Sequence, residues 1–303
     1  MRRLSLFLSL PIILTACGQG NKKASSQETK EATVAVAPVP EAGFVSELDN
    51  MSNCESATYD EKRDVLYVSL QGGAEPGDGT IAKVSTEGEL IDASFVKGLN
   101  DPKGVAVHGD KLYVADVTNL VEVDLSTGEK TLHSGGKAEY LSDVTVTDAG
   151  ELYVSEMHQS AVYVLKDGSM VEWLRTPELE NPNGVLAVGD DLYVGAWGKY
   201  ADKNPLGAKQ GDLLKVNMAT QKISHVTKGD FGHLDGVQRF GDSHFLTSNW
   251  ITGDISRVSA TTGKADKILT VEQSVGDILY LPSKKLLVLP VGNINKLKFY
   301  KVK

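Results

Sequence analysis

One short strand is written into this chain six times. "DVLYVSL" from Asp64, "DKLYVAD" from Asp110, "GELYVSE" from Gly150 and "DDLYVGA" from Asp190 are close copies, and "DSHFLTSN" from Asp242 and "KKLLVLP" from Lys284 are weaker ones. Tyr67, Tyr113, Tyr153, Tyr193, Phe245 and Leu287 mark the same place in each, at separations of about 40 to 52 residues. That period is the length of a four-stranded propeller blade, and a repeat of this kind decides the fold before any single element does.

Every copy carries the same parts. An apolar strand such as Gly184-Val185-Leu186-Ala187-Val188 comes first, then a Gly/Asp turn, then the repeated strand. A third strand follows a loop ("GTIAKVS", "NLVEVDL", "SAVYVLK", "GDLLKVN", "GDISRVS", "NKLKFYK"), and a more polar fourth follows a turn such as Lys166-Asp167-Gly168. Alternation of apolar and polar residues with Gly and Asp at the corners predicts antiparallel meanders, and no stretch reads as a long helix. The chain runs out at Lys303 after the sixth third strand. Phe44-Val45-Ser46-Glu47-Leu48 is therefore expected to supply the missing outer strand, closing the ring and covering an open sheet edge. The expected fold is all-β, a six-bladed β-propeller over residues 44–303. An apolar fraction of 41% and a charged fraction of 23% suit a globular domain with a sizeable core. The net charge of -9 argues against a nucleic-acid partner, whose phosphates call for Lys and Arg.

The first residues are not part of that domain. Met1-Arg2-Arg3 is a basic start, and the apolar run from Leu4 to Ile13 is too short to span a bilayer. It ends in Leu14-Thr15-Ala16-Cys17-Gly18, which resembles a bacterial lipoprotein signal peptide (residues 1–16). The resemblance implies export, acylation of Cys17 and a cell-envelope location. Gly18 rather than Asp after the Cys points to the outer membrane, facing the periplasm. Residues 17–43 are polar, then Ala/Val/Pro-rich, the composition of a flexible tether. Acylation leaves Cys54 as the only thiol, expected to be a buried small hydrophobe.

In a propeller the first strands line a central channel, and the residues just ahead of them gather at one mouth. Nine residues before the Leu of each repeated strand stand Lys103, Asp143 and Asn183. The same step from His244 and Leu286 gives Asp235 and Asp277, and a first turn two residues longer gives Glu55. None of the six is apolar. One reading is a solvated acidic rim. The other is a cation site, since carboxylates converging from several blades repel each other and an ion relieves that repulsion. Ligands that are all oxygen favour a hard ion, Ca²⁺ or Mg²⁺ before Zn²⁺. Gly184 and Gly236 beside Asn183 and Asp235 are expected to let the backbone turn tightly.

Three short motifs in the right blades and order carry a family likeness. "CESATYD", "NPNGV" and "HLDGV", with "HFLTSNWITGDISRVSATTGK" after the last, resemble the Glu-Ser, Asn-Gly and Asp-Gly motifs of the SMP-30/gluconolactonase (regucalcin-like) family over about residues 44–303. The resemblance implies one divalent cation (Ca²⁺ first, with Mg²⁺, Mn²⁺ or Zn²⁺ as alternatives) held by Glu55, Asn183 and Asp235. It also implies a hydrolase of a small lactone or ester, with the ion polarising the ring carbonyl and acidifying water. Asp235 falls on the family's usual general base, and Asp143 on a position that shares acid/base work or binds substrate hydroxyls. The chain departs from the pattern at the third blade. Ser142 stands where a substrate-contacting Asn is common and Tyr140 where a substrate-binding Arg is common, so sugar-lactone specificity is in doubt more than metal binding. Lys103 is a further substrate-binding candidate, either holding a substrate carboxylate or offsetting the acidic ring.

Other constellations are poor. No GxSxG, HExxH, CxxC or P-loop occurs, and "QGGAEPGDGT" is a Gly-rich loop of the wrong pattern. His158 and His233 could approach the mouth, though ordinary loop roles explain them as well. Trp197 and Trp250 could wall a pocket or pack between blades. Two functions stay open at this point: a lipid-anchored, metal-dependent hydrolase, and a non-catalytic, metal-stabilised propeller acting as a binding or sensor platform, as NHL-type repeats do.

Overall fold

Six four-stranded antiparallel sheets follow one another along the chain, each opening with an apolar first strand and passing through one copy of the repeat. The computed structural model describes residues 38–73, 75–200 and 204–303, and Val39–Lys303 forms one compact unit. The expected signal peptide (residues 1–16), Cys17 and residues 17–37 of the expected tether lie outside the described residues. Blade 1 runs from Cys54 to Leu99, blade 2 from Pro102 to Ser134, blade 3 from Leu141 to Arg175, blade 4 from Pro182 to His225 and blade 5 from Leu234 to Thr270. Blade 6 takes its three inner strands from Leu279–Val302 and its outer strand, Ala42–Leu48, from the other end of the chain. The clasp thus begins two residues earlier than expected, at Ala42. Among the described residues the only helical segments are three one-turn 3₁₀ pieces.

The repeated strand explains why the blades stack. Its side chains alternate between two neighbouring blades, so both faces are buried and the strand reads as a continuous apolar run. Leu152 and Val154 of blade 3 pack back on Tyr113 of blade 2, while Tyr153 packs forward on Val185 and Leu192 of blade 4. Each such side chain contributes about 1.5–3 kcal/mol of burial. The weak copies are offset by one residue from the alignment drawn above. In blade 5 Leu246 faces forward and Phe245 packs back on Tyr193 of blade 4. In blade 6 Val288 faces forward to blade 1 and Leu287 packs back on Leu246 of blade 5.

A bulge at the start of every blade places the channel residues. In blade 4 Pro182 pairs with Ala196 and Val185 with Val194, so Asn183 and Gly184 together oppose the single residue Gly195. The same two-against-one shift occurs at Glu55-Ser56, Lys103-Gly104, Ser142-Asp143 and Asp235-Gly236. Blade 6 repeats it through the Val275–Val291 bridge, with Gly276 and Asp277 in the corresponding places. A bulge inserts one residue, kinks the strand and re-aims side chains, which suits a rim where a site is built.

The register that results corrects the nine-residue count. Blades 2 and 4 turn in two residues, Gly109-Asp110 and Gly189-Asp190. Blade 3 closes its turn through Thr147 and Glu151, three residues apart inside, and blade 5 uses three between Phe240 and His244. Blades 1 and 6 use four. The upper ring is therefore Glu55, Lys103, Ser142, Asn183, Asp235 and Gly276. Ser56, Gly104, Asp143, Gly184, Gly236 and Asp277 form a second ring one step deeper. Asp143 and Asp277 belong to the deeper ring.

Candidate functional site

Above the upper ring lies a cavity of about 590 Å³. Glu55, Lys103, Asn183, Asp235 and Gly276 border it, whereas Asp143 and Asp277 border a separate channel cavity of about 220 Å³ below. The three expected ligands, Glu55, Asn183 and Asp235, border the upper cavity, while the carboxylate of Asp143, the further acid/base candidate, lies beneath it with that of Asp277.

The deeper ring is architectural. Asp143 Oδ1 accepts from the Val144 backbone N–H and Oδ2 from that of Val185 in blade 4, both at 2.7 Å. Asp277 Oδ2 accepts from Ser56 Oγ of blade 1 at 2.9 Å. Ser155 and Ser248, each opposite a bulge, donate to the carbonyls of Asn183 and Gly276 in the following blade. These bonds tie first strands together where no sheet ladder joins them. Gly184 and Gly236 serve the same closeness. Neither has a positive φ, so the tight-turn reason expected for them does not hold. A Cβ on Gly184 would sit 1.8 Å from the Asp235 carbonyl oxygen, and one on Gly236 2.4 Å from the Ile278 nitrogen. They are glycines because the next blade's backbone passes there.

At the upper ring the groups are charged and poorly satisfied. Asn183 Nδ2 donates to Asp235 Oδ2 at 2.9 Å, which orients both side chains. Glu55 Oε2 is closed off from solvent and has no hydrogen-bond donor, although the residue as a whole is only half-buried. Ser142 Oγ, on the same ring, is likewise enclosed without a partner. Burial pushes the Glu55 carboxyl well above the ordinary range, the Asp235 charge adds to the push, and Lys103 opposes it. Burial raises Asp235 to about 7 against the pull of Lys103 and the Asn183 hydrogen bond. Asp143 also reaches about 7, raised by burial and held back by its two backbone donors. Burial alone would discharge the Lys103 ammonium, but the Tyr140 oxygen, Glu55 and Asp101 outweigh it and hold the group above the ordinary lysine value. Its Nζ lies 4.8 Å over the Tyr140 ring and 3.5 Å from Asp101.

The remaining candidates fall as follows. Tyr140 and Lys103 border the cavity, and Ser142 does not. The Ser142 side chain is too short to pass the ring it sits in and is 1% exposed. His158 lines the wall and His233 does not; its Nδ1 pairs with the Trp197 carbonyl at 2.9 Å. Trp197 and Trp250 line the wall, one of the two places expected for them, as do Asn53, Gln71 and Leu206, which the repeat does not single out. They sit on loops after the second strands or between blades, where spacing carries no signal. Cys54 is buried, donates to the Lys296 carbonyl and is pushed by burial up to about 12, so its thiol stays protonated.

A residue trio outside the channel also converges. Glu180, Asp212 and His225 bring ligand-type atoms within 4.8 Å at the outer top of blade 4. Each already has a partner: His225 Nδ1 and Thr227 Oγ1 meet Asp212, and Lys199 meets Glu180. The floor of the mouth pocket, with the Asn183 amide, the Asp235 carboxylate and the unpartnered Glu55 Oε2, fits a hard cation better.

No family model and no curated protein matches this chain. Among solved structures, selenomethionine-substituted virginiamycin B lyase from Staphylococcus aureus superposes with a TM-score of 0.61 at 10% identity, covering 86% of this chain and 99% of that chain. The likeness is one of fold. It shows the propeller and leaves the chemistry to the residues at the mouth.

Proposed function

We propose that this chain is an exported, lipid-anchored hydrolase of small lactones or esters that works with one divalent cation held by Glu55, Asn183 and Asp235. Ca²⁺ leads the candidates, because the donors are two carboxylates and an amide oxygen. The observation that carries the reading is the buried, donor-less Glu55 Oε2 beside the Asn183–Asp235 pair on the floor of the pocket. Buried polar atoms without partners are rare, and a cation at this place would satisfy them. The likeness to the SMP-30/gluconolactonase motifs assigns the same three residues.

When bound, a divalent ion supplies Lewis-acid polarisation of the ester carbonyl. The chain's own groups do the rest. Asn183 holds the Asp235 carboxylate in place through Nδ2. Asp235, at about 7 before any cation lowers it, takes a proton from the attacking water and returns it to the leaving alkoxide as the acyl C–O bond breaks. Lys103 places positive charge at the edge of the pocket, where negative charge develops on the acyl oxygen. Asp143, with both oxygens engaged by backbone N–H groups, holds blades 3 and 4 in register instead of reacting. The purified chain, stripped of metal and resupplied with Ca²⁺, Mg²⁺, Mn²⁺ or Zn²⁺, is expected to hydrolyse members of a lactone panel, and Asn183→Ala to lower kcat/KM at least tenfold. Wild-type turnover by Asn183→Ala, or no metal-dependent turnover on a broad panel, defeats the reading. The anchor is checked separately: Cys17→Ser is expected to move the chain from the membrane to the soluble fraction.

The withdrawal of Ser142 and Asp143 from the pocket favours a second reading, a metal-stabilised platform without turnover. A metal that raises Tm while no substrate is consumed is the outcome that selects it.

A further inference from the structure

The wall of the mouth pocket is of two kinds. On the side of blades 6, 1 and 2 it presents amides and charge, from Asn293, Asn53, Gln71 and Lys103. On the side of blades 3 to 5 it presents Met157, Trp197, Leu206 and Trp250, with the Tyr140 and His158 rings beside them. None of these four belongs to the apolar clusters that hold the blades together. Met157 and Trp197 are buried, each 5% exposed, yet both border the cavity, as the apolar side chains of a ligand site do. Trp197 spends its polar handle on the protein, with Nε1 donating to the Pro205 carbonyl at 2.8 Å, so its ring faces carry no unmet donor. The Trp197 and Trp250 ring centroids lie 5.8 Å apart at 55°, a corner of two aromatic planes. Leu206, on the turn that Trp197 pins, is 70% exposed.

Size admits either class, and the polarity of the wall separates them. A sugar lactone and a phenyl-substituted butyrolactone each have about a dozen heavy atoms, and at no more than about 30 Å³ each they fill roughly 360 Å³. The cavity of about 590 Å³ leaves room that apolar side chains line and sugar hydroxyls would leave unsatisfied.

Resting on the hydrolase reading above, we infer that the preferred substrate is a lactone or ester bearing a planar apolar ring, such as an aryl group. The ring lies in the Trp197–Trp250 corner under Leu206, and the carbonyl faces Glu55, Asn183 and Asp235. The polar wall then takes the smaller, hydrated end. The class excluded is the polyhydroxylated sugar lactone, whose hydroxyls the apolar part of this wall would leave unpaired.

The test compares γ-phenyl-γ-butyrolactone, γ-butyrolactone and glucono-δ-lactone on the metal-loaded full chain. It adds binding of 5-phenyl-2-pyrrolidinone, a lactam whose amide bond resists hydrolysis far more than an ester does, read by tryptophan fluorescence. The expected result is a kcat/KM at least tenfold higher for the phenyl lactone than for either other lactone. Trp250→Ala and Leu206→Glu should each lower the phenyl-to-plain ratio at least threefold; Leu206, being exposed, keeps the test open if the Trp variant does not fold. Metal-dependent turnover with a ratio near one, or with the sugar lactone ahead, overturns this inference and leaves the hydrolase reading standing. Saturable lactam quenching that Leu206→Glu weakens, with no lactone consumed under any metal, keeps the aromatic subsite and removes the hydrolase. Neither turnover nor lactam binding overturns both.

Discussion

Glu55 is the side chain that fits its surroundings least. Its Oε2 is enclosed, has no donor, and faces the Asp235 charge with Lys103 as the main compensation. An ionised carboxylate without partners is costly to bury, and the cost falls on the metal-free fold. Glu55→Gln removes the charge while keeping the shape. Without metal, the variant is expected to be more stable than wild type by about 1 kcal/mol, a rise in Tm of about 2–4 °C. The same variant loses the metal-induced rise in Tm, because the donor with the highest demand for a cation is gone. Thermal scans in chelator and in Ca²⁺ measure both effects, and a metal-free Tm below wild type would mean that Glu55 is satisfied in the fold. Asp143 makes the opposite case: a more deeply buried residue whose two carboxylate oxygens each have a backbone donor, and whose loss would leave those donors stranded.

At the scale of elements, the clasp is what makes six meanders a ring. Ala42–Leu48 pairs antiparallel with Lys296–Val302, with a shift between Phe44 and Ser46, and Phe44 meets the Tyr300 ring edge-on at 5.6 Å. Lys296 adds ion pairs to Glu47 and Asp49, which as exposed pairs contribute little. Deleting residues 1–48 leaves the last strand as an unpaired apolar edge, a template for association. That deletion is expected to lower Tm by about 5 °C or more and to give oligomers in size-exclusion chromatography, whereas deletion of residues 1–40 should behave like the full chain. A truncated chain that stays monomeric with an unchanged Tm would show that blade 6 closes without the clasp. The clasp was legible in the sequence because it follows from counting strands. Strand register was not, because it depends on hairpin lengths that the repeat does not encode. A constant step of nine holds only where the turn has two residues, as at Gly109-Asp110 and Gly189-Asp190. At blade 3 the extra turn residue moves the ring from Asp143 to Ser142, and at blade 6 two extra residues, less the one-residue offset of Leu287, move it from Asp277 to Gly276. In blade 5 the offset of Phe245 and the longer turn cancel, so Asp235 was reached by compensation. The aromatic wall was legible in part: Trp197 and Trp250 follow second strands and were open to walling a pocket or packing between blades, whereas Leu206 lies on a loop whose placement only the closed ring determines.

The whole molecule concentrates its electrostatic strain on one axis. Glu55, Asp143, Asp235 and Asp277 share it with Lys103 as the nearby cation and Asp101 behind it. Burial, first of all causes, holds the folded-state values of Asp235 and Asp143 at about 7, above the ordinary 3.8. A folded state that binds protons more tightly than the unfolded one is favoured at low pH. Its advantage is complete below about 4, falls as pH rises, and is gone above about 7. Exposed carboxylates such as Asp124, lowered to about 2 by its backbone donors and Lys111, have the opposite slope, but they act below that window. The metal-free Tm is therefore expected to decline from pH 4.5 to pH 7.5. A cation needs the same carboxylates ionised, so its stabilising effect should grow over the same range and be largest at pH 7.5. Scans across this range in chelator and in Ca²⁺ separate the two curves. If they stay parallel, the cation binds away from the channel axis, and the trio Glu180, Asp212 and His225 becomes the place to look, since those side chains meet at the outer top of blade 4 and not on the axis.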